Sequence, residues 1–403
     1  MMVRQQADSP GPRTLKIVFL NTLHEPHDKR VYQKIGVSLA RAGHEVWSVA
    51  PVPAPGTHAP LPEPGEPDGN GIRIVLVPPA ATKKRRFLAL FRLVREGMRL
   101  GADAWCAPEP ESWVAALALK ALRGGRVVLD MHEHIPTEFA KFFPAPLQGF
   151  MTWLTVRFMR LFARYTDLII LTRESFEAPW EGLSTPRVTI INTNPLQPPC
   201  ADIPTALAER FAGRPVLIHQ GVFGDVRGSW KLLEAVKLLV RRIPEVRCVV
   251  LGQYVYGDEA AYRRAVEEAG LAESLLLLPT VPYEAVPAHI AVATAGLVLF
   301  QPGPVNHTLA MPHKLFDYMR EGKPVIAPDF AVEVRRIVEE ADCGLLVDVT
   351  DPAAIADAAH RLLTDSAEAA RLGANGRRIV EEKYNWGREE TILLDAFRSL
   401  EGR

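Results

Sequence analysis

A lysine and an aspartate stand three residues apart in PHKLFDYMREGKPVI, residues 312–326. The stretch reads as a helix opened by Pro312 and stopped by Gly322, then a buried strand opened by Pro324. Leu315, Phe316 and Met319 form its apolar stripe. The first amides, around His313, Lys314 and Leu315, have no acceptors within the helix. Together with the helix dipole they make a seat for anionic oxygen, and Lys314 adds charge. Asp317, one turn further in, could accept two hydrogen bonds from a ribose diol while the helix start holds a diphosphate. The plainer reading has Asp317 complementing the dipole, and the helix alone favours it.

HQGVFGDVRGSWKLLEAVKLL, residues 219–239, adds weight to the first reading. A strand leads into a loop with Gly221, Gly224 and Gly228, and Arg227 stands just before the next helix. Such a turn lets phosphate approach backbone, and an arginine there can clamp it. In PTVPYEAVPAHI (279–290), backbone groups near Val281 and Pro282 could pair with a flat base, although a proline-shaped loop explains the segment equally well. VVLDMHEHIP ends a strand with Asp130, His132, Glu133 and His134. His132 could donate to sugar or phosphate oxygen, and Glu133 could hold a hydroxyl. A metal is disfavoured, because adjacent residues on an extended segment point opposite ways. Glu109 and Glu111 in PEPES are candidate acceptor contacts whose plainer role is charge at a helix start. Asn21 and His24, after the opening strand, complete the acceptor-side candidates Asn21, His24, Glu109 and Glu133. That turn, FLNTLHEPHDKR, lacks the G-x-G-x-x-G of a dinucleotide site, which counts against a dehydrogenase.

These residues need a frame, and the hydrophobic pattern supplies one. LKIVFL, HEVWSVA, GIRIVLVP, DAWCA, RVVLDM, DLIIL and VTIIN read as strands separated by helical stretches, one of them spanning residues 140–166. After the proline-rich NTNPLQPPCADIP the alternation restarts with RPVLIHQG, VRCVVLG, LLLLP, GLVLFQ, KPVIAP and GLLVD. Apolar, non-alternating strands joined by helices mean parallel sheets covered on both faces. Two doubly wound, Rossmann-like α/β domains facing a cleft are expected, with ligands beyond the carboxyl ends of the strands. The expected divisions are a disordered tail (1–14), a first Rossmann-like domain (15–195), a linker (196–204), a second Rossmann-like domain (205–384) and a C-terminal helix (385–403) that packs back on the first domain. Lys plus Arg and Asp plus Glu are each 47, so nothing marks a nucleic-acid-coating protein. The four cysteines have no metal-ligand spacing and read as reduced thiols. With no apolar signal segment and no bilayer-length apolar run, a cytoplasmic location is expected.

In this order the segments resemble the GT-B fold glycosyltransferases of family 4, also called group 1. DKRVYQKIGVSLARAGHEVW, VVLDMHE, the 219–239 stretch, LLPTVPYEAVPAHI, MPHKLFDYMREGKPVIAPD and IVEEADCGLLVDVTDPAAIADAAHRLL carry the likeness, the KLFDYM stretch being the most specific. The resemblance implies transfer of a sugar from a nucleotide donor, with UDP expected, to a hydroxyl acceptor, with retained configuration and no metal or other cofactor, in polysaccharide or glycoconjugate assembly. It implies catalytic roles for His132, Arg227 and Lys314. Donor binding would fall to Gly221, Arg227, Gly228, Val281, Pro282, His313, Lys314, Leu315 and Asp317. Three departures stand out. The family often carries two glutamates eight positions apart; here they are Leu309 and Asp317. Its usual Gly-Arg is Gly221-Val222. A nucleotide-sugar 2-epimerase of the same fold and a non-catalytic accessory subunit are the alternatives.

KKRRFLALFRLVREGMRL, residues 83–100, sets Arg92, Arg95 and Arg99 on one face and Phe87, Phe91, Val94 and Met98 on another. Such a helix can lie on an anionic membrane surface. The plainer reading buries the apolar face and is slightly preferred. RFMRLFARY (157–165) raises the same question.

Overall fold

The computed structural model describes residues 13–53, 63, 65–79 and 83–401. Most of the expected tail and the side chains of residues 83–87 lie outside the described residues. The chain forms two compact units, residues 1–192 with 388–403, and residues 193–387.

In the first unit seven parallel strands lie in the order β3-β2-β1-β4-β5-β6-β7. They are β1 Lys16–Leu20, β2 Glu45–Pro51, β3 Ile72–Val77, β4 Ala104–Ala107, β5 Arg126–Met131, β6 Leu168–Leu171 and β7 Arg187–Thr189. Ile17 pairs with both Val46 and Ala104, which fixes β1 as a central strand. Ile17, Val18, Leu20 and the whole of β4 and β6 are buried, as a sheet covered on both faces requires. The helix expected from Asp28 to Gly43 is not a regular α-helix at its start. Residues Val31–Gly36 form a wider π-helical turn that passes into the α-helix Val37–Arg41. Asp28 still caps it, its carboxylate accepting from the amides of Arg30 and Val31 at 2.8 Å each. The helical stretch expected over 140–166 is the helix Ala145–Ala163, which starts after Pro144 and follows a separate short helix, Ile135–Ala140.

The second unit holds a six-stranded parallel sheet, β12-β10-β8-β13-β14-β15. Its strands are β8 Val216–Gln220, β10 Arg247–Leu251, β12 Leu275–Leu278, β13 Ala295–Leu297, β14 Val325–Pro328 and β15 Gly344–Val347. A small ladder unforeseen in the sequence pairs β9 Phe223–Gly224 with β11 Tyr254–Tyr256. The core gathers Leu217, Val236, Val250, Leu297, Ile326 and Leu362, among others. Residues 196–204, read as a linker, are fastened within this unit. The Cys200 amide donates to Glu321 at 2.8 Å, and Arg377 donates to the Gln197 carbonyl at 2.7 Å.

Strand order reverses between β1 and β4 in one sheet and between β8 and β13 in the other. At such switch points the loops leaving the carboxyl ends part and open a crevice. The candidate residues cluster at these two places.

Candidate functional site

At the β8–β13 switch point the last residues of β8 are His219 and Gln220. The chain then turns through a short 3-10 segment, Asp225–Arg227, to Gly228. Gly228 has φ 85°, and a Cβ there would meet the Leu299 carbonyl oxygen at 2.3 Å. Only glycine allows this loop to press against the strand end and start the helix Ser229–Val240. Lys314 enters from the other side, as the second residue of the helix His313–Arg320. Its Nζ lies 2.9 Å from His219 Nε2, and Arg227 lies over the Tyr256 ring at 5.9 Å. Burial, then the charge of Arg227, pushes the Lys314 pKa down to about 7, with Asp317 pulling it back. Burial, then Lys314, holds His219 well below its ordinary value. His219 Nε2 faces both Lys314 Nζ and, at 3.3 Å, the Val222 carbonyl oxygen, and its other ring nitrogen, Nδ1, is buried without a hydrogen-bond partner. An anion brought close to Lys314 would favour the lysine's protonated form.

The backbone contributes less than expected. The amide of Leu315 donates to Pro312 at 3.1 Å, that of Gly228 to Asp225 at 3.0 Å and that of Gly221 to Leu251 at 2.8 Å. These three are spent on local turns and on the strand ladder.

Asp317 requires a larger correction. It is 1% exposed. One carboxylate oxygen accepts from Asn194 and from the Tyr283 hydroxyl, the other from Gln220, each at 2.7 Å. A carboxylate so occupied is not open to a ribose diol in this arrangement. It ties the 193–204 segment, the end of β8 and the 279–285 loop to one helix. Val281 and Pro282 lie in that loop, partly buried and exposed respectively, and Pro282 opens the turn Tyr283–Ala285.

The β1–β4 switch point is built the opposite way. Glu109 is buried and caps the helix Pro110–Arg123, sharing a reciprocal capping box with Ser112. Its carboxylate also accepts from the amides of Thr22, Leu23 and His24 at 3.0–3.2 Å. Asn21 is 1% exposed, donating to Ser48 and Val49. Neither Asn21 nor Glu109 is therefore open to an acceptor. Glu133 is exposed and His24 partly so. His24 bonds Asp28 at 3.1 Å and sets its ring edge-on to His132 at 5.0 Å. Burial opposes its protonation, but the Asp28 hydrogen bond and the charge of Glu109 prevail and raise its pKa.

His132 Nε2 lies 2.6 Å from Asp130, whose carboxylate takes a bidentate grip from Arg30 at 2.7–3.2 Å. Burial works against the Asp130 charge, yet Arg30 and His132 hold its carboxyl well below the usual range. Among the described residues no group of three ligating side chains could hold a metal ion.

Sequence reasoning missed His219, Asn194, Gln220, Tyr283 and Arg30. His219 left one signal, a polar residue ending an apolar strand beside a glycine. The others act across long separations in the chain, which a single sequence does not display.

Two parallel-sheet α/β units with charged switch points define the class: this is the GT-B fold. A sucrose-phosphate synthase from Thermosynechococcus elongatus superposes with TM-score 0.72 at 19% identity, over 96% of this chain and 99% of that one. Anabaena HepE, solved in complex with UDP-glucose, gives TM-score 0.71 at 15% identity over 96% and 100%. Residues 208–379 match the family described as Glycosyl transferases group 1, and residues 30–193 match Glycosyltransferase Family 4. The chain belongs to this glycosyltransferase family. Among curated relatives, a GDP-mannose-dependent alpha-(1-6)-phosphatidylinositol monomannoside mannosyltransferase of Mycolicibacterium smegmatis is 26% identical, over 47% of this chain and 49% of its own. A D-inositol 3-phosphate glycosyltransferase of Xylanimonas cellulosilytica is 28% identical, over 53% and 49%. The alignments span about half the length of these relatives.

Proposed function

We propose that the protein is a cytoplasmic retaining glycosyltransferase that moves a sugar from a nucleoside-diphosphate sugar to a hydroxyl in polysaccharide or glycoconjugate assembly. The observation that carries the reading is the meeting of Lys314 and Arg227 beside neutral His219. Cleavage of the donor leaves growing negative charge on the diphosphate, and two cations aimed at one crevice stabilise that charge without a metal. Lys314 and Arg227 hold the diphosphate, the 279–285 loop takes the base, and His132, oriented by Asp130, serves the sugar side. The nucleotide is UDP, in keeping with the UDP-glucose complex of HepE. GDP, named for the mycobacterial relative, is the competing choice. The helix Lys83–Leu100 is a contact for anionic lipid in the same reading. It buries Ala89 and Leu93, and it exposes Leu88 and Phe91.

A thermal-shift panel of nucleoside diphosphates and their sugars tests the proposal, because a ligand of the native state raises its stability. UDP compounds are expected to give the largest rise. No rise with any nucleoside diphosphate would overturn it. Leu309 and the exposed Val222, replacing family residues, keep a non-catalytic accessory role in view. Slow donor hydrolysis without an acceptor would exclude that role.

A further inference from the structure

We infer that Arg30 is a positioning residue that acts through Asp130 on His132, fixing the ring so that Nδ1 accepts from a sugar hydroxyl rather than donating to a phosphate oxygen. That a sugar meets the ring rests on the glycosyltransferase reading; the state of the ring does not. Arg30 is 3% exposed and divides its guanidinium between two acceptors. Nε and Nη2 donate to the Asp130 carboxylate, and Nη1 donates to the Ile190 carbonyl at 3.0 Å. A buried ion pair adds little net stability, because desolvation of both charges offsets their attraction. What this pair does supply is a carboxylate of fixed orientation, with one oxygen aimed at His132 Nε2. The local backbone is shaped for the same reach. Arg30 stands at the start of the π-helical turn Val31–Gly36, its own amide held by Asp28. Such wide turns are rare and recur at functional sites.

The tautomer follows from the partner. Burial opposes the Asp130 charge, and Arg30 and His132 maintain it. An ionised carboxylate has no proton to give. His132 Nε2 therefore carries the hydrogen of the 2.6 Å contact. In the neutral ring Nδ1 is then a bare lone pair, and it makes no hydrogen bond among the described residues. The ionised oxygens of a diphosphate only accept, so they have nothing to offer that lone pair, whereas a hydroxyl donates to it. The rest of the residue is held as well. The ring packs edge-on with His24 at 5.0 Å, and Arg173 donates to the His132 carbonyl at 3.0 Å. Arg30 thus sets, two residues removed from any ligand, which class of oxygen His132 can meet.

Nitrogen-15 NMR of the full chain with labelled histidine tests the ring directly, the His132 signals being those lost in His132→Gln. Without nucleotide, on the alkaline side of neutrality, the unaltered protein is expected to show protonated Nε2 and bare Nδ1. Arg30→Lys keeps a cation but loses the two-pronged grip. It should mix the tautomers and slow hydrolysis of UDP-glucose about tenfold or more, while the UDP thermal shift is retained. Asp130→Asn can turn a donor toward Nε2 and should invert the tautomer; it carries the test if Arg30→Lys does not fold. Lys34→Met cuts another long bond of the same turn, to Asn192 at 2.8 Å, and should leave the ring unchanged. In the His132→Gln background, Arg30→Lys should slow hydrolysis no further; an additional fall would show that it acts elsewhere. An imidazolium or an Nδ1–H tautomer in the unaltered protein, or a ring unmoved in both variants, would overturn the proposal. So would an equal change in Lys34→Met, which would make Arg30 a packing residue. The expected ring with neither a UDP shift nor UDP-glucose hydrolysis would sink the nucleotide reading alone and leave the hold of Arg30 on the ring in place.

Discussion

The two switch points share a topology and carry opposite charge. Between β1 and β4 the crevice is filled by the chain's own carboxylate, Glu109, which takes the amides of Thr22, Leu23 and His24. Near the β8–β13 switch point Lys314 and Arg227 lie within electrostatic reach of each other, and Asp317 is buried with its carboxylate occupied by Asn194, Gln220 and Tyr283. Amides that follow a first strand are a natural phosphate seat. In the first unit a built-in glutamate takes those amides. Duplicated architecture therefore does not mean duplicated polar groups at the switch points; under the proposed function, the acidic or basic residue placed there decides which crevice receives an anion.

The comparison breaks most readily at Lys314. Lys314→Met should lower turnover by about 10²–10³-fold, the scale for one preorganised group facing a developing anion. Donor hydrolysis or transfer assays would read it. An unchanged rate would show that the second crevice is not the anion site. Glu109→Ala attacks the other side. It removes a helix cap and leaves buried amides without an acceptor, at a cost of about 3 kcal/mol by denaturant melting. Inorganic phosphate should restore part of this stability by occupying the opened seat. Stability that stays low at all phosphate concentrations would show that the glutamate is a cap and nothing more.

The uneven legibility of the two crevices has a physical basis. All thirteen strands of the main sheets follow from runs such as LIIL and VLIHQ, because a strand buried on both faces must be apolar throughout. Lys314 and Arg227 could be found because helix starts and glycine turns leave local marks. What could not be found is where a polar side chain spends its hydrogen bonds. Asp317 reads as a free carboxylate one turn into a helix, yet its partners lie 123, 97 and 34 residues away. Glu109 reads as a helix-start charge, and that reading holds, but its three amides come from a loop more than eighty residues earlier. The π-helical turn at Val31–Gly36 is equally silent, since its apolar residues suit an α-helix.

Asp317→Asn sharpens the inward-turned half of the comparison. The new amide sets a donor group among Asn194, Gln220 and Tyr283, all of which donate to the carboxylate. A loss of about 2–3 kcal/mol is expected, as for a buried polar group left mismatched. Nucleotide affinity of the folded fraction should change much less, because the carboxylate faces its own protein. Calorimetric titration on fully folded variant would decide. Strong loss of affinity with an unchanged melt would return Asp317 to the ribose.

The smallest expected effect lies in the pH dependence, where the two units should again differ in sign. Glu389 is grouped with the first unit; it is buried and its carboxyl accepts from the Ile191 amide at 2.7 Å. Burial raises its pKa to about 7, against the pull of that amide and of Arg30. The folded chain then holds a proton that the unfolded chain releases, so this contribution is present below the ordinary carboxylate value and lost as pH rises toward 7. Lys314 is depressed to about 7, so the unfolded chain holds the extra proton. Its contribution is present above the ordinary lysine value and lost as pH falls toward 7. Glu389→Gln should flatten the melting-temperature profile on the acid side of neutrality, and Lys314→Met on the alkaline side. A bound nucleoside diphosphate should also draw a proton onto Lys314, so its affinity should fall as pH rises above 7, and the binding enthalpy should vary with the buffer's ionisation heat. A Lys314→Met profile that matches the unaltered protein on the alkaline side would mean the lysine is not held short of its proton, and the cationic crevice would then need no anion to complete it.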